Sequence, residues 1–247
     1  MKISIITASF NSSKTIKKTL ESVKNQTYTN IEHIIIDGLS IDNTISIVNT
    51  FSHVSKVVVE KDNGIYDAIN KGIQLATGDI VGILNSDDVF YDNHVISNIS
   101  KAFKQNNNLD SIIGDIVFIN NKKQVHRKYS ASTWSPMKFA WGMMPPHPTF
   151  YCKKSIFDKF GFYRNDFKIA ADYELMMRFL LVKKVTYKYL PMIFVKMSLG
   201  GASTKNLKSK FLINKEVIYA CKLNNIRTNV FKIFTKYFFK IIEFFQK

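Results

Sequence analysis

Ile80-Val81-Gly82-Ile83-Leu84-Asn85-Ser86-Asp87-Asp88-Val89 is the stretch whose reading decides the fold. An apolar run of this length, closed by polar residues, reads as a buried strand. Two adjacent carboxylates at its carboxyl end stand where open α/β sheets take their ligands, in the crevice beyond the strand tips. Paired acids at such an edge suit a hard divalent cation that shares a bound phosphate. An Asp-rich turn is the competing reading, because Asn, Ser and Asp favour turns through side chain to backbone bonds. In an extended chain Asn85 and Asp87 face one way and Asp88 the other, unless a turn intervenes.

Toward the amino terminus, strand and helix signals alternate at a steady interval. Strands are expected at residues 3–9, 31–37, 56–60 and 80–85. Helices are expected from Ser12 or Ser13 to about residue 24, at residues 42–51, and at residues 65–76. Ser12 or Ser13 offers an N-cap, Asp42 opens the second helix and Gly78 stops the third. Apolar strands separated by helices indicate βαβ units, hence an α/β fold with a Rossmann-like, mostly parallel sheet flanked by helices and right-handed crossovers. After residue 105 the rhythm changes. Residues 111–120 and 124–129 read as a hairpin around Asn120-Asn121-Lys122-Lys123. Pro145-Pro146-His147-Pro148 breaks the chain, and a strand resumes at 149–152. A helix from Asp172 to about residue 182 precedes strand material at 186–189 and 193–197. No internal repeat or low-complexity linker interrupts the chain.

The chain has 247 residues, enough for one substantial core and a small appendage, and its 46% hydrophobic content argues against disorder. Thirty-five Lys and Arg against 19 Asp and Glu give a formal charge of +16, which favours nucleic acid, an anionic lipid surface or a phosphorylated substrate. The acids gather in the first 120 residues, whereas the last 45 are strongly basic. Cys152 and Cys221 match no metal or redox spacing and suggest free thiols in a reducing compartment. The first residues are too short an apolar run for a signal peptide, and no stretch approaches the ~20 apolar residues of a spanning helix. Cytoplasmic placement is the expectation.

Several segments, in order and spacing, resemble the family 2 glycosyltransferases. They are Thr7-Ala8-Ser9-Phe10-Asn11, Asp37-Gly38-Leu39-Ser40-Ile41-Asp42, the run from Glu60 through Tyr66, Asp67, Asn70 and Lys71 to Gly72, and Asn85-Ser86-Asp87-Asp88. The likeness continues through His147-Pro148-Thr149 and Ala171-Asp172-Tyr173-Glu174-Leu175 to Gly200-Gly201-Ala202-Ser203, roughly the first 205 residues. It implies the GT-A fold, a nucleotide-sugar donor with a UDP-sugar favoured, Mg2+ or Mn2+, and inversion at the anomeric carbon. The members it most resembles build bacterial surface polysaccharides, lipopolysaccharide or capsule. The expected organisation is a GT-A domain at 1–205, with a nucleotide-sugar-binding half at 1–105 and an acceptor and catalytic half at 106–205. Residues 206–247 form a basic amphipathic helical tail.

Individual residues take their roles from this frame. Thr7, Ser9 and Asn11 follow a strand tip, where small polar groups can grip a nucleotide or simply make a strand-to-helix turn. Asp37 can accept from a base N–H or ribose hydroxyl, and the resemblance makes it the donor-base contact. Asp42 reads as an N-cap. Lys61 and Lys71 can neutralise a diphosphate or be surface lysines of a basic chain. Asp67, Asn70 and Lys71 share one side of a helix and can share a pocket wall. The resemblance divides ribose and metal contacts between Asp87 and Asp88 without assigning them. The family usually has an acid where Asn85 stands, so one charge is missing from this donor-binding edge. Asp172 stands where the family carries its general base, although Asp before a helix is also a good N-cap and Glu174 suits a first helical turn. The family usually precedes that base with Glu, and here the neighbour is Ala171. His147, held extended between prolines, is placed in the donor pocket by resemblance, near phosphate or metal. Gly200, Gly201, Ser203 and Lys205 read as a flap near the diphosphate or an ordinary turn.

In residues 230–247, Lys232, Lys236 and Lys240 recur every four positions among Phe231, Phe234, Phe238, Ile241, Ile242 and Phe245. That pattern fits an interfacial helix on anionic lipid, or a terminal helix docked on protein. The expected function is an inverting glycosyltransferase acting on a glycan, lipid-linked acceptor at the inner face of the cell membrane. The alternatives are a catalytically weak or inactive nucleotide-sugar-binding relative and a basic nucleic-acid-binding protein. Nucleic acid is not the expected partner, because no reading motif accompanies the lysines. The oligomeric state is not legible.

Overall fold

A computed structural model describes residues 1–120, 124–198 and 207–235. Four strands, β1 (Ile3–Ser9), β2 (Ile31–Asp37), β3 (Val54–Val59) and β4 (Ile80–Ile83), form a parallel sheet in the order β3-β2-β1-β4. The helices α1 (Ile16–Lys24), α2 (Thr44–Val48) and α3 (Ile65–Leu75) connect them. The parallel half expected from the alternating pattern is therefore present, with trimmed ends. α1 begins later than Ser12 or Ser13 and has no side-chain cap. The Ser12 and Ser13 N–H groups go instead to Thr44 Oγ1 and Asp42 Oδ2, at 2.8 and 3.1 Å. α2 is shorter than expected, with Asp42 accepting from the Thr44 N–H at 3.0 Å.

Side chains alternate across β1, as strand geometry requires. Ile6 and Ala8 join Ile34 and Ile36 beneath Ile69 and Ile73 of α3. Ile3 and Ile5 face the opposite layer, with Val95, Ile96, Ile99 and Phe103. Gly72 allows α3 to lie close on the sheet, because a Cβ there would come within 2.4 Å of the Ile6 side chain.

Beyond β4 come β5 (Val89–Phe90), α4 (Val95–Gln105), β6 (Ser111–Ile119), β7 (Val125–Tyr129), β8 (Tyr151–Lys153), α5 (Lys154–Phe160), α6 (Ala171–Met177), β9 (Tyr187–Ser198) and α7 (Leu207–Leu223). The sheet continues from β4 through β8, β6 and β9 to β5, with β7 pairing β6. β8 runs antiparallel to both β4 and β6, and β9 runs parallel to β6. This half is mixed, as expected, and β6–β7 is the expected hairpin; residues 121–123 of its turn lie outside the described residues.

Four expectations need correction. The apolar stripe of α4 and the helix α5 went unread. The two strands expected at 186–189 and 193–197 are one, β9, whose pairing with β6 slips between Ile113 and Asp115 to accommodate the Leu190-Pro191-Met192 stretch. A proline lacks a ladder donor and is tolerated at such an irregularity. The helix from Asp172 starts one residue earlier and passes into a π-turn over Arg178–Val182. Finally, the first part of the expected tail belongs to the core: Val217, Ala220 and Cys221 of α7 are buried together with Tyr173 and Met176 of α6. Buried apolar contact of this kind makes α7 part of the folded body. Residues 236–247, with Lys236, Lys240 and the phenylalanines beyond, lie outside the described residues, as does the expected flap at Gly200 to Lys205.

Candidate active site

The carboxyl ends of β1, β2 and β4 lie side by side, and the loops leaving them bond to one another. Asn11 N–H donates to Ser40 Oγ at 2.7 Å, and Ile41 N–H donates to Asn11 Oδ1 at 3.0 Å. Asn11 has φ +49°, a conformation that Asn tolerates better than most residues. Ser12 and Ser86 share a hydroxyl–hydroxyl bond of 2.9 Å, joining the first loop to the turn after β4. These bonds make one braced crevice out of three strand ends.

Asp37 sits at the floor of this crevice, fully buried. Its carboxylate accepts from Ser9 Oγ at 2.8 Å, Ser40 Oγ at 2.7 Å and Ser40 N–H at 2.7 Å. Gly38 beside it has no Cβ, and one would lie 2.4 Å from Asp62 Oδ2. Thr7 is placed elsewhere: its side chain is buried in the sheet, with Oγ1 3.1 Å from His33 Nε2. An inward-facing position on a strand explains this, and Thr7 offers no side chain to the crevice.

The turn after β4 resolves the geometry of Asn85 to Asp88. Asp88 N–H donates to the Asn85 carbonyl at 3.0 Å, so a turn does intervene. Asp87 is exposed, while Asp88 is 1% exposed and accepts from Asn85 Nδ2 at 3.0 Å. Burial pushes the Asp88 carboxyl well above the usual range, the Asp87 charge adds to this, and the Asn85 bond opposes it. Two adjacent acids that resist joint ionisation are what a cation relieves. Among the described residues no group of three or more His, Cys, Asp or Glu is arranged to hold a metal. Asp87 and Asp88 supply two adjacent carboxylates at this edge, one exposed and one buried.

α3 forms the next wall. Lys71 Nζ lies 2.9 Å from Glu60 Oε1 and 3.7 Å from Asp67, and donates to the Lys61 carbonyl at 2.9 Å. Asp67 accepts from Asn63 N–H at 3.0 Å. Asn70 faces the second half of the chain, exchanging bonds with Tyr163 N and O at 2.9 and 2.8 Å and reaching Asn165 at 3.2 Å. Of the trio expected on one wall, Asp67 and Lys71 meet, and Asn70 braces the two halves together. The exposed Lys61 contributes its backbone carbonyl to this cluster.

Asp172 opens α6 from the other side. His147 Nδ1 lies 3.3 Å from its Oδ2, their side chains 33% and 18% exposed. The Tyr66 hydroxyl lies 3.5 Å from its Oδ1 and donates to the Ile169 carbonyl. Burial raises the Asp172 carboxyl above its usual range, and the adjacent His147 pulls it back. His147, expected near phosphate or metal, thus partners the candidate base. Asp172 accepts from the N–H of its own neighbour Tyr173 at 2.8 Å, so its carboxylate is not spent on capping deeper turns. Glu174 is buried and pairs with Arg178 at 3.0 Å rather than merely facing the helix dipole. Arg178 also donates to the Phe160, Gly161 and Phe162 carbonyls.

Tyr66, Tyr163, Arg178 and Glu216 were missed from sequence. Tyr66 lay inside a recognised segment without a role. Glu216, on α7, accepts from the N–H groups of Lys168, Ile169 and Ala170 at 2.9, 3.0 and 2.9 Å and so fixes the loop leading to Asp172. Its signal was a lone acid among Ile213, Val217 and Ala220, in a segment read as a tail. A groove of about 680 Å³ lined by Met1, Gly78, Asp79, Lys104 and Lys153 opens at the amino ends of β1 and β4. That is the opposite end from the one where parallel sheets place ligands.

A glycosyl transferase family 2 model matches residues 4–170. An uncharacterized glycosyltransferase of Mycobacterium tuberculosis is 33% identical over 186 residues, 73% of this chain and 69% of its own length. The UDP-Glc:alpha-D-GlcNAc-diphosphoundecaprenol beta-1,3-glucosyltransferase WfgD of Escherichia coli is 34% identical over 125 residues, 50% of this chain and 49% of its own length. S. aureus TarS 1-349 in complex with UDP-GlcNAc superposes with a TM-score of 0.69 at 17% identity, covering 89% of this chain and 66% of that one. The mannosyltransferase PcManGT from Pyrobaculum calidifontis, in complex with GDP-Man and Mn2+, gives a TM-score of 0.67 at 15% identity over 94% of this chain and 66% of that one. The chain spans 65% of TarS 1-349. The fold is the GT-A fold of glycosyltransferases. The chain belongs to glycosyl transferase family 2.

Proposed function

We propose that the chain is an inverting glycosyltransferase that moves a sugar from a nucleotide-diphosphate donor to a glycan carried on a lipid, in bacterial surface polysaccharide synthesis. The observation that carries this reading is the pairing of a braced strand-end crevice with one partly buried carboxylate, Asp172, held by His147 and Tyr66 across the cleft wall. Donor binding falls to Asp37, Ser9 and Asn11 on the nucleoside side, with Asp67, Lys61 and Lys71 along the wall. A UDP-sugar is the favoured donor, in keeping with the UDP-Glc named for WfgD.

Asp172 takes the proton of the acceptor hydroxyl as its oxygen attacks the anomeric carbon. The bond from that carbon to the diphosphate oxygen breaks on the opposite face, which inverts the configuration. Asp87, with Asp88 behind it, would hold Mg2+ or Mn2+, which when bound neutralises the charge growing on the departing diphosphate. Asn85 orients Asp88 by its hydrogen bond in place of the usual acid. The second reading, a donor-binding relative without turnover, is favoured by the same Asn85 and by Ala171. The enzyme is placed at the cytoplasmic face of the membrane, where a lipid-linked acceptor is presented. No described helix is long and apolar enough to cross a membrane.

A thermal-shift screen of nucleotide sugars, with and without Mn2+, tests donor binding. A ligand at a hundred times its Kd adds about 2.7 kcal/mol, a rise of roughly 5–10 °C for a chain of this size. One donor is expected to give that rise, more with Mn2+ than without; a flat screen would remove the donor reading.

A further inference from the structure

Two segments far apart in sequence build a single exposed aromatic and basic surface. The first is the 3-10 turn Pro136–Trp141. The second follows α7 and is helical from Val230 to residue 235. Thr228 Oγ1 donates to the Ala140 carbonyl at 2.7 Å, and Lys232 Nζ stands 5.3 Å from the centre of the Trp141 ring. Ile233 is fully buried and anchors the second segment, and Phe139 anchors the first. Their neighbours point outward: Met137 is 69% exposed, Trp141 40%, Val230 54% and Phe231 85%.

Exposed apolar side chains of this size, on two segments joined by these contacts, mark an interaction site. Charge decides the partner. Residues 130–147 contain Lys138 and no acid, and residues 217–235 contain Lys222, Arg227 and Lys232 and no acid. A two-fold contact with a second copy would set these bases against themselves. Tryptophan and phenylalanine rimmed by Lys and Arg instead match the interfacial zone of an anionic bilayer, with rings at the headgroup level and cations at the phosphates.

We infer that Met137, Trp141, Val230 and Phe231, with Lys138, Arg227 and Lys232, form a docking surface for an anionic lipid bilayer. This deepens the reading of a lipid-linked acceptor by naming the face that meets the membrane. The surface is tied directly to the catalytic side. The Phe139 carbonyl accepts from the hydroxyl of Tyr173, the residue after Asp172. Trp141 is six residues from His147, a span of at most about 22 Å. Docking on this face would anchor, at the bilayer, a segment bonded to the residue next to Asp172.

The chain has two tryptophans, and Trp134 packs edge-on against Phe139 and Tyr187, so Trp134→Phe leaves Trp141 as the sole reporter. The full-length protein is mixed with vesicles of phosphatidylcholine alone or with phosphatidylglycerol added. Trp141 emission is expected to shift to the blue, and the protein to sediment, with the anionic vesicles and not the neutral ones. High salt should reverse both. Trp141→Ser with Phe231→Ser is expected to weaken sedimentation by about tenfold or more. Arg227→Glu with Lys232→Glu does the same by charge and leaves the exposed apolar residues in place, which covers a folding defect in the first pair. Nucleotide-sugar thermal shifts, read without vesicles, should persist in both variants, and they report the donor reading separately. Wild-type protein that ignores anionic vesicles, or binds them equally in both variants, overturns the docking surface. So does a lipid-free dimer in which Trp141 is already shielded.

Discussion

Asp172 illustrates how one carboxylate is prepared for proton transfer. Burial lifts its proton affinity, which brings a carboxyl nearer the pH at which a general base works best. His147 opposes that lift from 3.3 Å, while Tyr66 and the Tyr173 N–H hold the group in place. A base must be unprotonated, so activity falls as pH drops through its titration. Removing His147 takes away the neighbour that favours the ionised form of Asp172. His147→Gln is therefore expected to move the acid limb of the kcat/KM profile upward; an unmoved limb would detach His147 from Asp172. At this scale the sequence was half legible. Asp172 and His147 were each singled out, but their pairing depends on a fold contact between positions 25 residues apart. Thr7 lies two residues inside the tip of β1, where its hydroxyl meets His33 rather than the crevice.

Elements α1 to α3 and β1 to β4 were readable because each carries its own apolar period, although the expected caps did not set the helix ends. α7 was not. Its apolar positions cover α6, a face that no local pattern announces, and its basic residues suggested a separate amphipathic tail. The structure makes it a brace, since Glu216 receives three backbone N–H groups from residues 168–170. Bonds to a charged acceptor contribute about 1.5–3 kcal/mol each net of hydration, and buried donors left unmet cost about as much. Glu216→Ala is expected to cost about 2 kcal/mol or more, a fall in melting temperature of roughly 4–8 °C by thermal denaturation. An unchanged melting temperature would show that α7 does not hold the Asp172 loop.

Across the whole molecule the two ends of the sheet do different work. The carboxyl ends gather the crevice, whereas the amino ends gather a structural ion cluster around Glu32. Burial alone would raise the Glu32 carboxyl, but hydrogen bonds from Ser4, Thr77 and Lys2 outweigh it and hold the value at about 2. A carboxyl depressed on folding stabilises above its unfolded value and loses that contribution as pH falls through the folded value. Acid unfolding is thus expected to steepen from about pH 4.5 down toward pH 2. Glu32→Gln should lower the melting temperature at neutral pH and flatten that acid dependence; parallel wild-type and variant curves would contradict it. The parallel half of the fold followed from alternation and connection rules, whereas its order of strands, β3-β2-β1-β4, came from the structure. The insertion of β8 between β4 and β6 did not, because a three-residue strand carries no pattern of its own.

The central claim is that this crevice and Asp172 together transfer a sugar from a nucleotide donor. Release of nucleoside diphosphate, followed across a panel of nucleotide sugars with Mn2+ and a lipid-linked acceptor, tests it most directly. Wild-type protein is expected to consume one donor, with Asp172→Asn slower by about 10²- to 10⁴-fold while still giving that donor's thermal shift. Equal release by Asp172→Asn, or donor binding without release by the wild type, would contradict it.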